Sequence, residues 1–244
     1  MIKLELPLKP ESLTPEFQAE MTQEFIDSGK SKSVWHIDWL REAVLQMAFG
    51  KCCYSEIRLN EESKYLEIEH FHHKDGYPNE VMQWGNLLPS CKKCNATKND
   101  HDTVEEPIVN PFIDNPKDFF RFKNYRYAPQ NEKARLTIDV LALNDRDHFV
   151  TPRFTIGNEI MDQVEDCLIN IDNVDNSRKR RRYITRLKSL LEQGNRTKEY
   201  AALVATTILS DENYKAIEEQ LIDKGHWDAE FTALKLELEY CALL

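Results

Sequence analysis

The sequence predicts a mostly α fold with a small α+β insert, and three observations carry that expectation. Apolar residues recur at helical spacing toward both ends of the chain. Cysteines, histidines and a strand-like alternation crowd between residues 51 and 105, and no repeat or low-complexity linker separates the parts. The expected division is 1–50, an N-terminal helical flank; 51–105, the insert; 106–155, a loop and short-strand extension packed on it; and 156–244, a helical region that serves as a docking surface for a partner or nucleic acid. With 244 residues the chain is long enough to bury a sizeable core.

Thr14-Pro15 reads as an N-cap followed by proline at the first helical position, and Gly29 ends that helix. A second helix is expected over VWHIDWLREAVLQMAFG, which places Trp35, Leu40, Val44, Met47 and Ala48 near one stripe and stops at Gly50. Aromatic and methionine residues on such a stripe are core by default. After Lys51 the texture changes to cysteine pairs, YLEIEHF with strand alternation, a WGNLLP turn and a short helical CKKCNATKND. NPFIDNPKDFFRFKNYRYAP reads as loop with a short strand, and ARLTIDVLALN as another strand leading into a turn. From about Asn158 helical periodicity returns, in segments around NEIMDQVEDCLINI, SRKRRRYITRLKSLLEQG, KEYAALVATTIL, DENYKAIEEQLIDKG and WDAEFTALKLELEY.

A formal net charge of -10 argues against a surface that attracts nucleic acid everywhere. A local track is still available in RKRRRYITRLK, where Arg178, Lys179, Arg180, Arg181 and Arg182 run without an intervening acid. The plain reading is a solvated helix face. The alternative is a nucleic-acid track or the counterpart of a partner, because helical spacing spreads a consecutive run around the axis and sends some cations toward other groups. MIKLELPLKP lacks a signal-peptide stretch and no run of about 18 apolar residues occurs, so the expectation is a soluble, cytoplasmic protein with no membrane partner.

Six cysteines in a reduced compartment are not a disulfide framework, so their spacing matters more than their number. Cys167 and Cys241 stand alone among apolar residues and read as small buried side chains. Cys91-x-x-Cys94 with Cys52 upstream is the kind of arrangement that closes a tetrahedral Zn²⁺ site, but the fourth expected position is Ser55, and serine is a poor ligand beside a thiolate. Three readings stay open: zinc held by Cys52, Cys91, Cys94 and a further group such as Cys53 or a histidine; knuckles that have lost their metal and persist as packed thiols; or unrelated cysteines.

Glu69-His70 on a strand, Asn86 in WGNLL and Asn95 directly after Cys94 follow one another in an order that resembles the HNH nucleases. The resemblance runs from Cys52 to about His101 and rests on EIEHF and WGNLLPSCKKCNATK. It implies an HNH ββα-metal core embedded in helical flanks. Softer stretches, SVWHIDWLREAV before KCCYSE, then HFHHKDGYPNEVMQWGNLLPSC, NPFID and TIDVLALNDRD, resemble the PtuB-like HNH proteins of Septu and retron-associated anti-phage systems. That similarity implies an ATPase partner resembling PtuA.

Phosphodiester hydrolysis needs a base for the attacking water and stabilisation of charge on the phosphate and leaving oxygen. Imidazole is available as a base near neutral pH, which makes His70 the expected general base. A hard Mg²⁺ or Mn²⁺ ion takes oxygen ligands, so Glu69 and Asn95 are its expected holders, although the family more often has Asp before the histidine. For Asn86 the resemblance implies a structural task, tying a loop so that the base stays in place. Lys98 is expected at the nucleic acid, with DNA ahead of RNA as the substrate. Adjacent strand residues point to opposite faces, so the strand is expected to twist or end at Glu69-His70. The alternative function is a zinc-stabilised binding or structural subunit without catalysis; His72, His73 and Asn99 receive no assigned role.

Overall fold

The structure, a computed structural model, describes residues 1–59, 65–172 and 177–244, with the side chains of 171, 172, 177, 178 and 180 left out of the description. In chain order the elements are helices α1 (Pro15–Asp27) and α2 (Asp38–Gln46), strands β1 (Leu66–His70) and β2 (Leu87–Cys91), helix α3 (Lys92–Lys98), strands β3 (Phe120–Lys123) and β4 (Arg126–Pro129), and helices α4 (Glu132–Val140), α5 (Thr151–Asp172), α6 (Ser177–Glu192), α7 (Ala201–Ser210), α8 (Glu212–Asp223) and α9 (Ala229–Cys241). Among the described residues the strands form two two-stranded sheets, β1 with β2 and β3 with β4. The chain is thus mostly α with small β elements. None of its described helices is long and apolar enough to cross a membrane.

Apart from the first two residues, 3–119 and 129–144 form one compact unit, and 120–128 with 145–244 form a second. The expected 106–155 extension is therefore not one piece, since its residues are divided between the two units.

In the first unit α1 begins as expected, with the Thr14 side chain accepting the Phe17 N–H at 3.1 Å and Pro15 at the first helical position. The second helix is shorter than its apolar stripe suggested, but the stripe is core: Trp35, Leu40, Val44 and Met47 pack with Phe25, Ile68 and Leu87. β1 and β2 are antiparallel, with Leu66 opposite Cys91 and His70 opposite Leu87. Helices α2 and α3 both contact this pair, so the strand is covered on both sides and its alternation is not one of apolar against polar. The expected strand in ARLTIDVLALN is instead α4. Asn131 caps it by accepting the Ala134 N–H at 2.9 Å, and Ala134, Ile138 and Leu141 recur at helical spacing and are buried. Thr137, Ile138 and Val140 favour strands only weakly, and cap and core contacts outweigh that preference.

The second unit holds β3–β4 and α5 to α9. The hairpin turns at Asn124 and Tyr125, both with positive φ (50° and 63°), the backbone twist that a two-residue turn requires. The Tyr125 ring lies over Gly157 of α5, where an added Cβ would stand 2.3 Å from the ring. Arg153 is buried with its guanidinium 4.7 Å from the Tyr127 ring centroid and 5.7 Å from that of Phe122. Helix α7, apolar nearly all round, is buried and contacts α5, α8 and α9.

Candidate functional site

The site is built where β1 ends. Alternation sends His70 to the same side as Ile68, against Trp35, whose ring meets the imidazole edge-on at 4.5 Å. Glu69 is turned the other way, toward α3, where its Oε1 lies 2.7 Å from Lys98 Nζ. The strand stops at His70, and both residues line one cleft of about 360 Å³ together with Trp35, His73, Asn95 and Asn99.

His70 Nε2 lies 3.0 Å from the Val81 carbonyl oxygen, which can only accept, so Nε2 carries the ring proton and Nδ1 carries the lone pair. Burial pushes the ring's pKa down to about 4, with Lys74 and Lys98 acting the same way and the Val81 bond opposing. The ring is therefore neutral at pH 7. Glu69, 2% exposed, moves in the other direction: burial raises its pKa to about 7 although Lys98 lowers it. A buried carboxylate with one ammonium neighbour is thus incompletely compensated. Its Oε1 faces that ammonium without an aligned hydrogen bond.

Asn86 is the tie of the loop between the strands. Its Oδ1 accepts the His72 N–H at 2.7 Å, and its Nδ2 donates to the carbonyls of His72 and Glu80, each at 3.1 Å. Replacing Asn86 by alanine leaves these buried or half-buried backbone groups without their partner, and an unfolding free energy lower by about 2 kcal/mol is expected from urea melts. Further bracing comes from His72 Nδ1 to Glu80 Oε2 at 2.6 Å and Tyr77 Oη to Asp102 Oδ1 at 2.8 Å. His73 faces the cleft with a defined tautomer, because the Gly76 N–H donates to its Nδ1 at 3.2 Å and leaves the proton on Nε2.

Behind this hairpin lies a thiol cluster. The Sγ atoms of Cys52, Cys91 and Cys94 are buried and lie within 4.8 Å of one another, a group able to hold a metal ion such as zinc. Each of two knuckles folds its backbone onto sulfur: the Ser55 N–H donates to Cys52 Sγ at 3.5 Å, and the Cys94 N–H to Cys91 Sγ at 3.5 Å. Burial raises the Cys52 thiol, but hydrogen bonds from Cys91, Cys94 and Ser55 together hold it well below the ordinary thiol range, while the Cys52 contact and burial push Cys91 up to about 12 against the opposing Cys94 contact. Cys53 is buried but stands outside the cluster, its pKa raised by burial.

No protein-family model matches the chain. Over 239 residues it is 40% identical to the Septu protein PtuB of Bacillus thuringiensis, an alignment that covers 96% of this chain and 92% of that protein. The chain belongs to the Septu PtuB family. A further relative, the Septu protein PtuB of Bacillus mycoides (strain KBAB4), is 28% identical over 141 residues, covering 44% of this chain and 48% of that protein.

In this member of the Septu PtuB family the structure brings Glu69, His70 and Asn95 to one cleft and sets Asn86 in the loop beside it. Lys98 is a correction. Expected at nucleic acid, it is 2% exposed, facing Glu69 and donating to the His70 carbonyl oxygen at 2.9 Å. The burial of Glu69 accounts for this, since a buried acid draws the nearest cation inward. Of the basic run, Lys179, Arg181 and Arg182 are exposed on α6, and the side chains of Arg178 and Arg180 lie outside the described residues. Nearby Arg186 pairs with Asp166, and Lys188 with Asp228 at 2.6 Å, so part of the cationic stretch is engaged by acids. Trp35, read from the sequence only as core, and His73, visible only as one of a run of histidines, both line the cleft, and the Val81 carbonyl that bonds His70 is a partner no residue type reveals.

Proposed function

We propose that this chain is a metal-dependent HNH endonuclease, with residues 51–105 as its ββα-metal core, acting in Septu anti-phage defence beside an ATPase resembling PtuA. The observation that carries the reading is a neutral His70, its lone pair on Nδ1, lining one cleft with Glu69 and Asn95. His70 takes the proton of the attacking water at Nδ1, while the Val81 carbonyl holds the opposite edge of the ring and Trp35 fixes its plane. A phosphodiester entering the cleft brings negative charge, which raises the pKa of the imidazole and makes it a stronger base when substrate is present. Nε2–H of His73 offers a donor on the same cleft.

The donor set suits a hard divalent cation: an incompletely compensated carboxylate at Glu69 and the carboxamides of Asn95 and Asn99 line one cavity. Glu69 and Asn95 would hold Mg²⁺ or Mn²⁺, which when bound supplies a Lewis acid for the phosphoryl oxygens. Lys98 keeps β1 in place through the His70 carbonyl and favours the ionised form of Glu69, against the effect of burial. A nicking assay on supercoiled plasmid tests the reading. Conversion to open circles with Mg²⁺ or Mn²⁺, loss in EDTA and recovery on adding the ion are expected; cutting that persists in chelator removes the metal from the mechanism.

A second reading, a nucleic-acid-binding or structural subunit without turnover, is favoured by the Glu69–Lys98 pair, in which the acid already has a counter-ion. It predicts retention of nucleic acid with no cutting of DNA or RNA under any divalent ion, with or without the ATPase. Under either reading Lys179, Arg181 and Arg182 are the proposed nucleic-acid or partner contacts on α6, together with Arg178 and Arg180. Phosphate contacts there would make affinity fall steeply with salt.

A further inference from the structure

The two knuckles of the thiol cluster share one backbone-to-sulfur contact and differ in the side chain that closes them. In the second, Cys91-x-x-Cys94, the last residue donates its N–H to the first sulfur and supplies a sulfur of its own. In the first, Cys52-Cys53-Tyr54-Ser55, Ser55 donates its N–H to Cys52 Sγ at the same 3.5 Å and supplies a hydroxyl. Ser55 is 1% exposed, and its Oγ lies 3.7 Å from Cys91 Sγ. For zinc–sulfur bonds of about 2.3 Å and zinc–oxygen bonds of about 2.0 Å, a tetrahedral site separates sulfur from oxygen by about 3.5 Å. The Ser55 hydroxyl therefore stands about one ligand edge from the Cys91 sulfur.

We propose that Ser55 Oγ is the fourth ligand of a closed Cys₃Ser zinc site formed with Cys52, Cys91 and Cys94. Two rivals for the corner fit less well. Cys53 projects outside the cluster. Ser90 Oγ lies 3.9 Å from Cys52 Sγ, farther than Ser55 Oγ from Cys91 Sγ, and does not hold the knuckle position that Cys94 fills in the other arm. Binding converts three thiols or thiolates into metal thiolates and releases their protons to solvent, while serine enters as a neutral alcohol. The site then carries one negative charge less than a four-thiolate site would, in a region that also buries Glu69.

The test uses the full chain and has no need of nuclease activity, so its failure leaves the nuclease reading standing. Metal analysis of the purified protein, Co²⁺ exchange and zinc competition with a chromophoric chelator are performed on the unaltered chain, Ser55→Ala, Ser55→Cys and Ser90→Ala. Expected are one zinc per chain and a tetrahedral Co²⁺ spectrum whose sulfur charge-transfer intensity rises by about a third in Ser55→Cys, as three thiolates become four. Zinc affinity should fall at least about 10-fold in Ser55→Ala and stay unchanged in Ser90→Ala. A folded chain that takes up neither metal, a Co²⁺ spectrum that gains no intensity in Ser55→Cys, or equal zinc affinity in Ser55→Ala would overturn the proposal.

Discussion

On the proposed nuclease reading, His70→Ala should lower phosphodiester cleavage by about 10²- to 10⁴-fold, the range that a positioned general base contributes. The expected loss is in turnover and not in substrate retention, because the side chain removed handles a proton while the cations proposed to hold nucleic acid are elsewhere. Two contacts and burial set the state of the ring, each with a distinct effect. Val81 fixes the tautomer, Trp35 fixes the orientation, and burial removes the charge that would block proton uptake. Single-turnover cleavage and a filter-binding assay in Ca²⁺ measure the two quantities separately, with circular dichroism to verify the fold. Cleavage at the unaltered rate would remove His70 as the base.

The second large effect is on stability. Glu69 has a folded pKa raised to about 7, so its contribution is fully present below its unfolded value of 4.5 and is lost as pH rises through 7. His70 has a folded pKa depressed to about 4, so its contribution is present above its unfolded value of 6.5 and is lost as pH falls toward 4. Between about pH 4.5 and 6.5 the two slopes oppose each other and nearly cancel. Glu69→Gln removes one of them. Relative to the unaltered chain, its unfolding free energy should rise with pH across that window by about 2–3 kcal/mol, two pH units at about 1.4 kcal/mol each. Urea unfolding in magnesium-free buffer at constant ionic strength checks this, and parallel profiles for the two proteins would show that Glu69 keeps an ordinary pKa.

Much of this was legible locally. The Thr14-Pro15 start of α1 needs only neighbouring residues, and the apolar stripe of α2 needs only a period, so both could be found without tertiary knowledge. In the α4 segment Thr137, Ile138 and Val140 point to a strand, while the contrary signals, the Asn131 cap and the helical spacing of Ala134, Ile138 and Leu141, are brief in so short a stretch. At the site, Glu69, His70, Asn86 and Asn95 were visible through their order along the chain. What could not be read were effects of packing. A lysine on a short helix looks like a surface cation until a buried acid such as Glu69 takes it, as at Lys98. Similarly, Ser55 looks like a missing cysteine until its backbone is seen to repeat the second knuckle.

Cys91 ends β2, caps α3 through its sulfur, sits opposite Leu66 and belongs to the thiol cluster. A reagent that modifies it is expected to wait for strand, helix and knuckle to part together, because the residue is only 4% exposed while they hold. The pace of thiol labelling in dilute alkylating reagent is therefore a clock for the opening of this module, measurable without any substrate.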